Sequence, residues 1–340
     1  MSSRLSVILQ YFVIFLATGL LIWFSLGGLQ VEGDENKWQY LQRTWSNANK
    51  EWLLLMAAIT LISHFLRAVR WRILLQPAGY TPKLWNSFLS LMVGYLVNLV
   101  IPRGGEVSRC YNLYKLDKTP VEISFGTVVV ERIVDVICLL ALVLLSFLLE
   151  SQKLIAFIDS LPIGSAKGTS RSATIAFIAA GFAAIVFLAY FLIKKNEKAS
   201  NFFKKTWGGF KGGFTSVFKL KSKWPFIICS IAIWILYFFM SYCVVQAFPA
   251  TSTLGVSAVM SLFAIGAIAM AVPTPGGAGS YHVMVPQGLV FLYAIPRTDA
   301  VAFTFIFHGW QTLILIVAGA ISLILTSLIV KKNSRSIKPS

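Results

Sequence analysis

The sequence contains few of the residues from which soluble enzymes build active sites. Among 340 residues there are 13 acidic residues, 3 histidines and 4 cysteines. The cysteines form no Cys-x-x-Cys pair, and no set of His, Cys and carboxylate residues has the spacing of a metal site. A nucleophile elbow and a phosphate-loop lysine are also absent. The sequence therefore predicts a chain that is not an enzyme, with free thiols, no metal and no cofactor.

The chain also lacks a long polar stretch that could form a separate soluble domain. Instead, 57% of its residues are hydrophobic and only 13% are charged. This excess of apolar residues cannot be buried in a soluble core of this size, so we expect an all-α polytopic membrane protein. The first apolar run, Leu5 to Leu26, is longer than a signal-peptide core and is interpreted as a retained membrane span.

The scarcity of acidic residues leaves a formal net charge of +17. The basic residues cluster beside apolar runs, which indicates orientation in the membrane and contact with anionic lipids, not nucleic-acid binding. We expect Arg67, Arg70 and Arg72 at the cytoplasmic membrane surface for this reason. The distribution predicts a protein of the cytoplasmic (inner) membrane with both termini in the cytoplasm.

Two glycine-rich stretches break apolar runs in the two halves of the chain. At one constant offset, Gly94, Gly104, Gly105 and Ser108 match Gly266, Gly276, Gly277 and Ser280. Charged residues soon follow the first break and could not lie deep in lipid, so each stretch predicts the tip of a re-entrant hairpin. The topology is then six full transmembrane helices plus two hairpins, or eight spans if the second hairpin crosses fully.

In this topology the two halves run through the membrane in opposite directions. We therefore expect one membrane domain, residues 1–340, built as an inverted repeat. Repeat one covers about 51–149 and repeat two about 225–330. The joining segment, 194–224, has lysines and aromatic residues spaced three or four apart, which is typical of a basic amphipathic helix on the inner leaflet. A charged loop is the alternative, because glycines weaken a helix.

The hairpin tips are the first candidate binding site. A helix that restarts after a glycine pair offers unpaired N–H groups and a partial positive charge, which suit a lipid phosphate. Arg103 and Arg109 flank the first tip, and an arginine can hold phosphate through two hydrogen bonds. The predicted headgroup site consists of Arg103, Gly104, Gly105, Ser108, Arg109, Gly276, Gly277 and Ser280.

A second candidate set lies within a predicted span. Glu131 and Asp135 share a helix face beside Arg132, and ionisable groups inside a membrane are usually functional. One carboxylate could meet a cationic headgroup or a proton, and a structural ion pair with Arg132 is the alternative. His308 and Thr312 take the corresponding positions in the second half. His308 could titrate near neutral pH or could simply be hydrogen-bonded in the bundle.

Four motifs in this order resemble the lysylphosphatidylglycerol synthase transmembrane family, also called the flippase-like domain family. They are Arg67-Ala-Val-Arg-Trp-Arg72, Pro102-Arg-Gly-Gly-Glu106, Glu131-Arg-Ile-Val-Asp135 and Pro273-Thr-Pro-Gly-Gly277. In bifunctional members of the family the membrane region is thought to flip an aminoacylated lipid made by a separate catalytic domain. The resemblance implies a stand-alone membrane module without the aminoacyl-transferase domain. The family pattern has a basic residue near the position of His308, where this chain departs from it.

Residues and resemblance together predict a flippase-like transporter that binds a phosphate-bearing lipid, or an aminoacylated phospholipid, between two Gly-Gly loops. The expected partners are anionic membrane lipids. Two alternatives stay open at this point. The chain could be a non-transporting scaffold for a soluble lipid-modifying enzyme, or a membrane enzyme acting on a lipid-linked sugar.

Overall fold

The computed structural model describes residues 35–160, 223–272 and 274–335 without a break, together with parts of 16–31 and 208–220. The predicted span Ser172 to Ile193 and most of the predicted amphipathic segment 194–224 lie outside the described residues. The helices are α1 Thr18–Gly27, α2 Lys37–Asn47, α3 Lys50–Leu75, α4 Leu84–Asn98, α5 Gly104–Asp117, α6 Val121–Ser160, α7 Trp224–Ala247, α8 Val256–Ala271, α9 Ser280–Tyr293 and α10 Arg297–Arg335.

Four helices, α3, α6, α7 and α10, are long and apolar enough to cross a membrane. Their outer surfaces carry large apolar side chains such as Leu140 and Leu148 of α6, which are 63% and 74% exposed. A surface of this kind is stable against lipid and not against water. Helices, and no strands, make up the regular structure of the described residues. The prediction of an all-α membrane protein is therefore confirmed.

Two antiparallel pairs, α4 with α5 and α8 with α9, form the hairpins. Their helices have 15, 14, 16 and 14 residues. At about 1.5 Å per residue each is about 21–24 Å long, which is shorter than the ~30 Å hydrocarbon core. These lengths favour two hairpins over eight full spans. The total of six spans stays a prediction, since the predicted span Ser172 to Ile193 and about half of the predicted span Leu5 to Leu26 lie outside the described residues.

Close backbone packing explains the glycines near both tips. A Cβ on Gly105 would collide with the carbonyl oxygen of Gly94 and with the side chain of Asn98. A Cβ on Gly277 would collide with the side chain of Met270. Met270 stands at the same offset from Asn98 as Gly277 does from Gly105. The two hairpins therefore close through corresponding contacts, and a larger residue at either position would force the helices apart.

The contacts between the two halves agree with the predicted inverted repeat. Helices α3 and α7 occupy the same place in their halves and pack antiparallel. The start of α3 meets the end of α7, where the Asn49 N–H donates to the Ala247 carbonyl at 2.8 Å. Further along, the end of α3 meets the start of α7, where Arg70 donates to Ser230 at 3.4 Å. Each hairpin packs on a crossing helix of the other half: α4 of the first half packs on α10, and α8 of the second half packs on α6. Such reciprocal contacts are those of a two-fold axis.

The tips of the hairpins meet between the two halves. Arg103 of the first tip donates to the Ala271 carbonyl of the second at 2.8 Å. A Cβ on Gly276 of the second tip would lie 2.9 Å from Leu99 of the first. One turn before the first tip, Tyr95 packs on His64, near the middle of α3, with ring centroids 4.3 Å apart. The tips therefore lie about halfway along the crossing helices.

Two local features of the described residues are a short helix before α3 and a break within α6. The polar loop before α3 contains helix α2, which Asn36 and Gln39 begin with a reciprocal capping box. Helix α6 is broken at Glu150, whose backbone is not helical (φ −139°, ψ 44°). The Glu150 carboxylate accepts hydrogen bonds from Ser257, Ser261 and Tyr293, so it ties the base of the second hairpin to α6.

Candidate functional site at the hairpin tips

A cavity of about 550 Å³ lies where the two tips meet, and both halves of the chain line it. The first half contributes Arg67 from α3, Arg103 and Glu106 from the first tip, and Arg132 and Asp135 from α6. The second half contributes aromatic and neutral polar side chains, including Trp234, Tyr237, Tyr281, His308, Gln311 and Thr312. The volume is within the usual range for small-molecule sites. The charged lining residues therefore all come from the first half.

Asp135 is held on the cavity wall by three arginines. Arg67 and Arg70 approach its two carboxylate oxygens at 2.7 and 2.9 Å, and Arg132 lies at 3.6 Å. Arg67 also donates to the hydroxyl groups of Tyr95 and Tyr237, at 2.7 and 2.8 Å. The guanidinium of Arg67 thus joins both halves of the chain at the cavity wall.

Glu131 lies one turn before Asp135, behind the cavity wall. Its side chain is fully buried, with Arg109 at 2.7 Å and Arg70 at 3.5 Å. The Arg109 guanidinium also lies 4.8 Å above the ring of Trp71. Removing two charges from water costs several kcal/mol per ion, so a buried pair needs close partners of this kind. Glu131 and Arg109 position the helices around the cavity and do not line it.

Glu106 connects the first tip to α6. Its Oε1 accepts from Arg132 at 2.6 Å. Its Oε2 is buried and accepts no hydrogen bond within the described part of the chain. Glu106 lines the cavity, so this oxygen is an unused hydrogen-bond acceptor of a cavity residue.

The ionised side chains around the cavity carry an excess of positive charge. The ion-pair cluster consists of Arg67, Arg70, Arg109, Arg132, Glu106, Glu131 and Asp135. It has four guanidinium groups for three carboxylates. Arg103 adds another positive charge at the cavity, and its hydrogen bond in this structure is to a neutral carbonyl. A cavity with net positive charge attracts an anion.

Arg103 has a backbone conformation that is uncommon for arginine. Its φ is 63°, in the left-handed region, and it is the residue from which α5 begins. This conformation costs an L-residue about 1–2 kcal/mol relative to its preferred states. It gives the sharp turn between α4 and α5 and lets the Arg103 side chain reach the second tip.

The second tip is supported by the rings of Tyr281, His282 and His308. This group of rings contains no carboxylate, lysine or arginine. His308 Nε2 is 3.1 Å from the Gly276 carbonyl oxygen. The His308 ring stacks on Tyr281 at 5.4 Å and meets His282 edge-on at 4.8 Å. His308 thus connects α10 to the glycine turn.

The structure separates the predicted headgroup residues into two groups. Arg103, Gly276 and Gly277 line the cavity, as do Arg132, Asp135 and His308 of the second predicted set. The lining does not include Gly104, Gly105, Ser108, Arg109, Ser280 or Glu131. Their place is behind the tips, in the packing of the hairpins and in the ion-pair cluster.

Three of the four Gly-Gly N–H groups at the tips are already hydrogen-bonded within the tips. The Gly104 N–H bonds to the Ile101 carbonyl, the Gly105 N–H to the Asn98 side chain, and the Gly277 N–H to the Thr274 carbonyl. These donors are satisfied within the tips. These three N–H groups are therefore not free to bind a phosphate, whereas the side chains of Arg67, Arg103 and Arg132 line the cavity.

Arg67 and Arg70, which the sequence predicts at the membrane surface, turn towards the interior of the protein. Both are buried, with exposed fractions of 6% and 0%, and both pair with Asp135. Arg72, two residues later, is half-buried, and its place at the surface stays a prediction. Arginines near the end of an apolar helix satisfy the positive-inside pattern even when they turn inward to a carboxylate on another helix.

Several cavity residues were missed because they look like ordinary apolar or interfacial residues in the sequence. Tyr95, Asn98 and Tyr237 all contact residues of the site. Trp234 lines the cavity, and its buried indole N–H has no hydrogen-bond partner within the described residues. Asn98 could have been identified from the sequence, because it is a polar residue in an apolar helix just before the glycine turn.

Comparisons with known proteins agree with this architecture. The family described as the lysylphosphatidylglycerol synthase TM region matches residues 7–319. The UPF0104 membrane protein MJ1595 of Methanocaldococcus jannaschii is 34% identical over 92 residues. That match covers 26% of this chain and 27% of the relative, so the chain matches about a quarter of the relative's length. No solved structure matches.

Proposed function

Because the chain belongs to the family of the lysylphosphatidylglycerol synthase TM region, we propose that it is a flippase-like membrane protein that binds a phosphate-bearing lipid in the cavity between its hairpin tips. The lipid would be a phospholipid or an aminoacylated phospholipid. We place the protein in the cytoplasmic membrane with both termini in the cytoplasm, as the distribution of basic residues favours.

The excess of positive charge at a cavity between two half-crossing hairpins supports this proposal most strongly. A fully neutralised ion-pair cluster would suit a purely structural role. Here Arg103 and Arg132 line a cavity of about 550 Å³, and Arg103 bonds a carbonyl. A guanidinium is weakly hydrated and matches phosphate geometry, so these side chains suit a lipid phosphate. Glu106 Oε2 can accept from an amine or hydroxyl of the same headgroup.

The inverted repeat supports movement around this site. In transporters built this way, binding lies at the interface of the repeats, and access alternates when one repeat rocks against the other. The contacts between the tips here are the Arg103 hydrogen bond to Ala271 and the packing of Leu99 on Gly276. A phosphate bound to Arg103 would compete for the donor that joins the tips. Lipid binding would thereby favour their separation.

A leaflet assay with the purified full chain in liposomes tests the proposal. Labelled phosphatidylglycerol and phosphatidylcholine are incorporated, and exchange between leaflets is followed with the wild type, Arg103→Ala and Arg103→Lys. A hydrogen bond to an ionised group contributes about 1.5–3 kcal/mol, so Arg103→Ala should weaken phosphatidylglycerol binding about 10- to 100-fold and slow its exchange. Arg103→Lys keeps the charge but not the fork, and should retain part of the activity.

The matched control is Arg43→Ala, which removes an exposed arginine on α2, away from the cavity. It should leave exchange unchanged. Equal rates for wild type, Arg103→Ala and Arg43→Ala, with all three proteins folded, would contradict the lipid site. Lipid retained by the wild type without any leaflet exchange would contradict transport and favour a scaffold.

A further inference from the structure

A second cavity, of about 270 Å³, lies on the other side of α9 from the hairpin-tip cavity. Tyr281 and Val285 share the face of α9 that lines the hairpin-tip cavity. The opposite face, with Val283, Pro286 and Val290, lines the second one. We call this second cavity the α1–α9 groove. Its remaining walls come from α1, the last part of α6 and the start of α10.

The α1–α9 groove is apolar along most of its length. The rings of Phe24, Phe157 and Phe291 line it together with Pro286 and Val290. Along α9 the lining extends from His282, next to the second tip, to Phe291, near the end of the helix. Nine residues of helix correspond to about 14 Å. The groove therefore has the shape and chemistry of a slot for a hydrocarbon chain.

A positive charge stands at the end of the groove near the α9–α10 turn. Arg297, in the first turn of α10, is exposed and lines the groove there. Among the described residues no carboxylate forms an ion pair with it. The nearby Asp299 accepts a hydrogen bond from Tyr40 at 2.5 Å. The Arg297 guanidinium is thus placed to meet an anionic group of a molecule whose apolar part occupies the groove.

A proline inside α9 lines the groove, and a side chain of α1 replaces the hydrogen bond that this proline removes from the helix. Pro286 has no N–H, so the carbonyl of His282 lacks the hydrogen bond that a helix normally supplies four residues later. The Ser25 hydroxyl of α1 donates to this carbonyl at 2.5 Å. This bond fixes α1 against α9 and gives the groove a defined wall.

We propose that the α1–α9 groove is a binding site for an anionic phospholipid of the surrounding membrane. Its phosphate would lie at Arg297, and one acyl chain would run past Phe24 and Pro286 towards His282. A water molecule takes about 30 Å³, so 270 Å³ accommodates a chain segment and not a whole lipid. The rest of the lipid stays in the bilayer. This lipid is a stationary ligand between α1 and the second repeat, separate from the lipid of the proposed function.

Native mass spectrometry of the purified full chain, titrated in detergent with phosphatidylglycerol or phosphatidylcholine, tests this site. All measurements are repeated in an Arg103→Ala background, which removes the proposed lipid of the other cavity. Arg297→Gln should weaken retention of phosphatidylglycerol about tenfold and that of phosphatidylcholine less, because the quaternary ammonium group of phosphatidylcholine offsets the charge of its phosphate. Val290→Trp fills the groove and should weaken retention of both lipids.

Two variants serve as matched controls. Arg43→Gln removes an exposed arginine elsewhere, and Ile228→Trp adds a tryptophan to an exposed apolar position of α7, 61% exposed. Neither should change lipid retention. The proposal is overturned if Arg297→Gln behaves like Arg43→Gln, or if Arg103→Ala alone removes every retained lipid. If the proposed function is refuted, Arg297→Gln should still differ from Arg43→Gln in lipid retention. The two proposals can therefore be refuted independently.

Discussion

Replacing Glu131 with glutamine removes the carboxylate that two arginines share behind the cavity wall. The side chain is fully buried, with Arg109 at 2.7 Å and Arg70 at 3.5 Å. Glutamine keeps the shape but not the charge, and its amide NH₂ would face a guanidinium donor. The three carboxylates of the ion-pair cluster would become two, against four arginines.

The cost follows from how deeply these charges are buried. Breaking a buried ion pair by removing one partner costs about 3–5 kcal/mol, because the other charge stays buried without compensation. An exposed pair contributes about 0–1 kcal/mol. The exposed pair Arg43–Glu35, at 2.9 Å, offers the comparison within the same chain. We therefore expect Glu131→Gln to be several times more destabilising than Glu35→Gln.

Thermal unfolding in detergent, followed by the fluorescence of a thiol-reactive dye, measures the difference. Glu131→Gln should lower the melting temperature by several degrees and Glu35→Gln should leave it nearly unchanged. Adding Arg109→Met to Glu131→Gln removes one uncompensated charge and should restore part of the loss. Equal melting temperatures for Glu131→Gln and Glu35→Gln would refute the reasoning that the cluster is buried and tightly paired.

Two further predictions concern the helix contacts that build the hairpins and the groove. Gly105→Ala should destabilise the protein by about 1–3 kcal/mol, because the added Cβ would collide with the Gly94 carbonyl oxygen. Gly208→Ala is the control and should not destabilise it, because the space around Gly208 is open. Equal melting temperatures for the two variants would contradict the close packing at Gly105. Ser25→Ala should cost about 1–3 kcal/mol by leaving a buried carbonyl unpaired. Adding Pro286→Ala supplies an N–H for that carbonyl and should restore the stability, and strictly additive effects of the two changes would be the contrary result.

The hairpins and their pairing could be predicted from the sequence because backbone requirements leave a direct mark on it. Gly105 and Gly277 are needed wherever two helices approach this closely, and the same offset relates their neighbours Asn98 and Met270. The distribution of basic residues then predicts the direction in which each half crosses the membrane, and the two predicted directions are opposite. The antiparallel contacts of α3 and α7 agree with that orientation.

The composition of the cavity wall could not be predicted in the same way. Asp135 and Arg67 are far apart in the sequence, and their ion pair depends on how α3 packs against α6. A row of arginines at the end of an apolar helix has the same appearance whether it faces lipid headgroups or a carboxylate on another helix. Likewise, the sequence pattern does not show that the Gly105 N–H donates to the side chain of Asn98, which leaves this N–H unavailable for a phosphate.

The contact between the two hairpin tips can be measured most directly by cross-linking. In a chain with its native cysteines replaced, Leu99→Cys and Gly276→Cys place two thiols across the tips. The Leu99 change also removes the δ-carbon that a Cβ at position 276 would meet at 2.9 Å. A protease site introduced between the two halves shows whether the fragments stay joined after treatment with a short bifunctional thiol reagent.

Leu99→Cys with Val256→Cys is the control pair, because Val256 is exposed at the opposite end of the 16-residue helix α8, about 22 Å from the second tip. We predict that the Leu99–Gly276 pair keeps the two halves together on a non-reducing gel and that the control pair does not. Separation of the halves with the Leu99–Gly276 pair, in a folded protein, would contradict the meeting of the two tips.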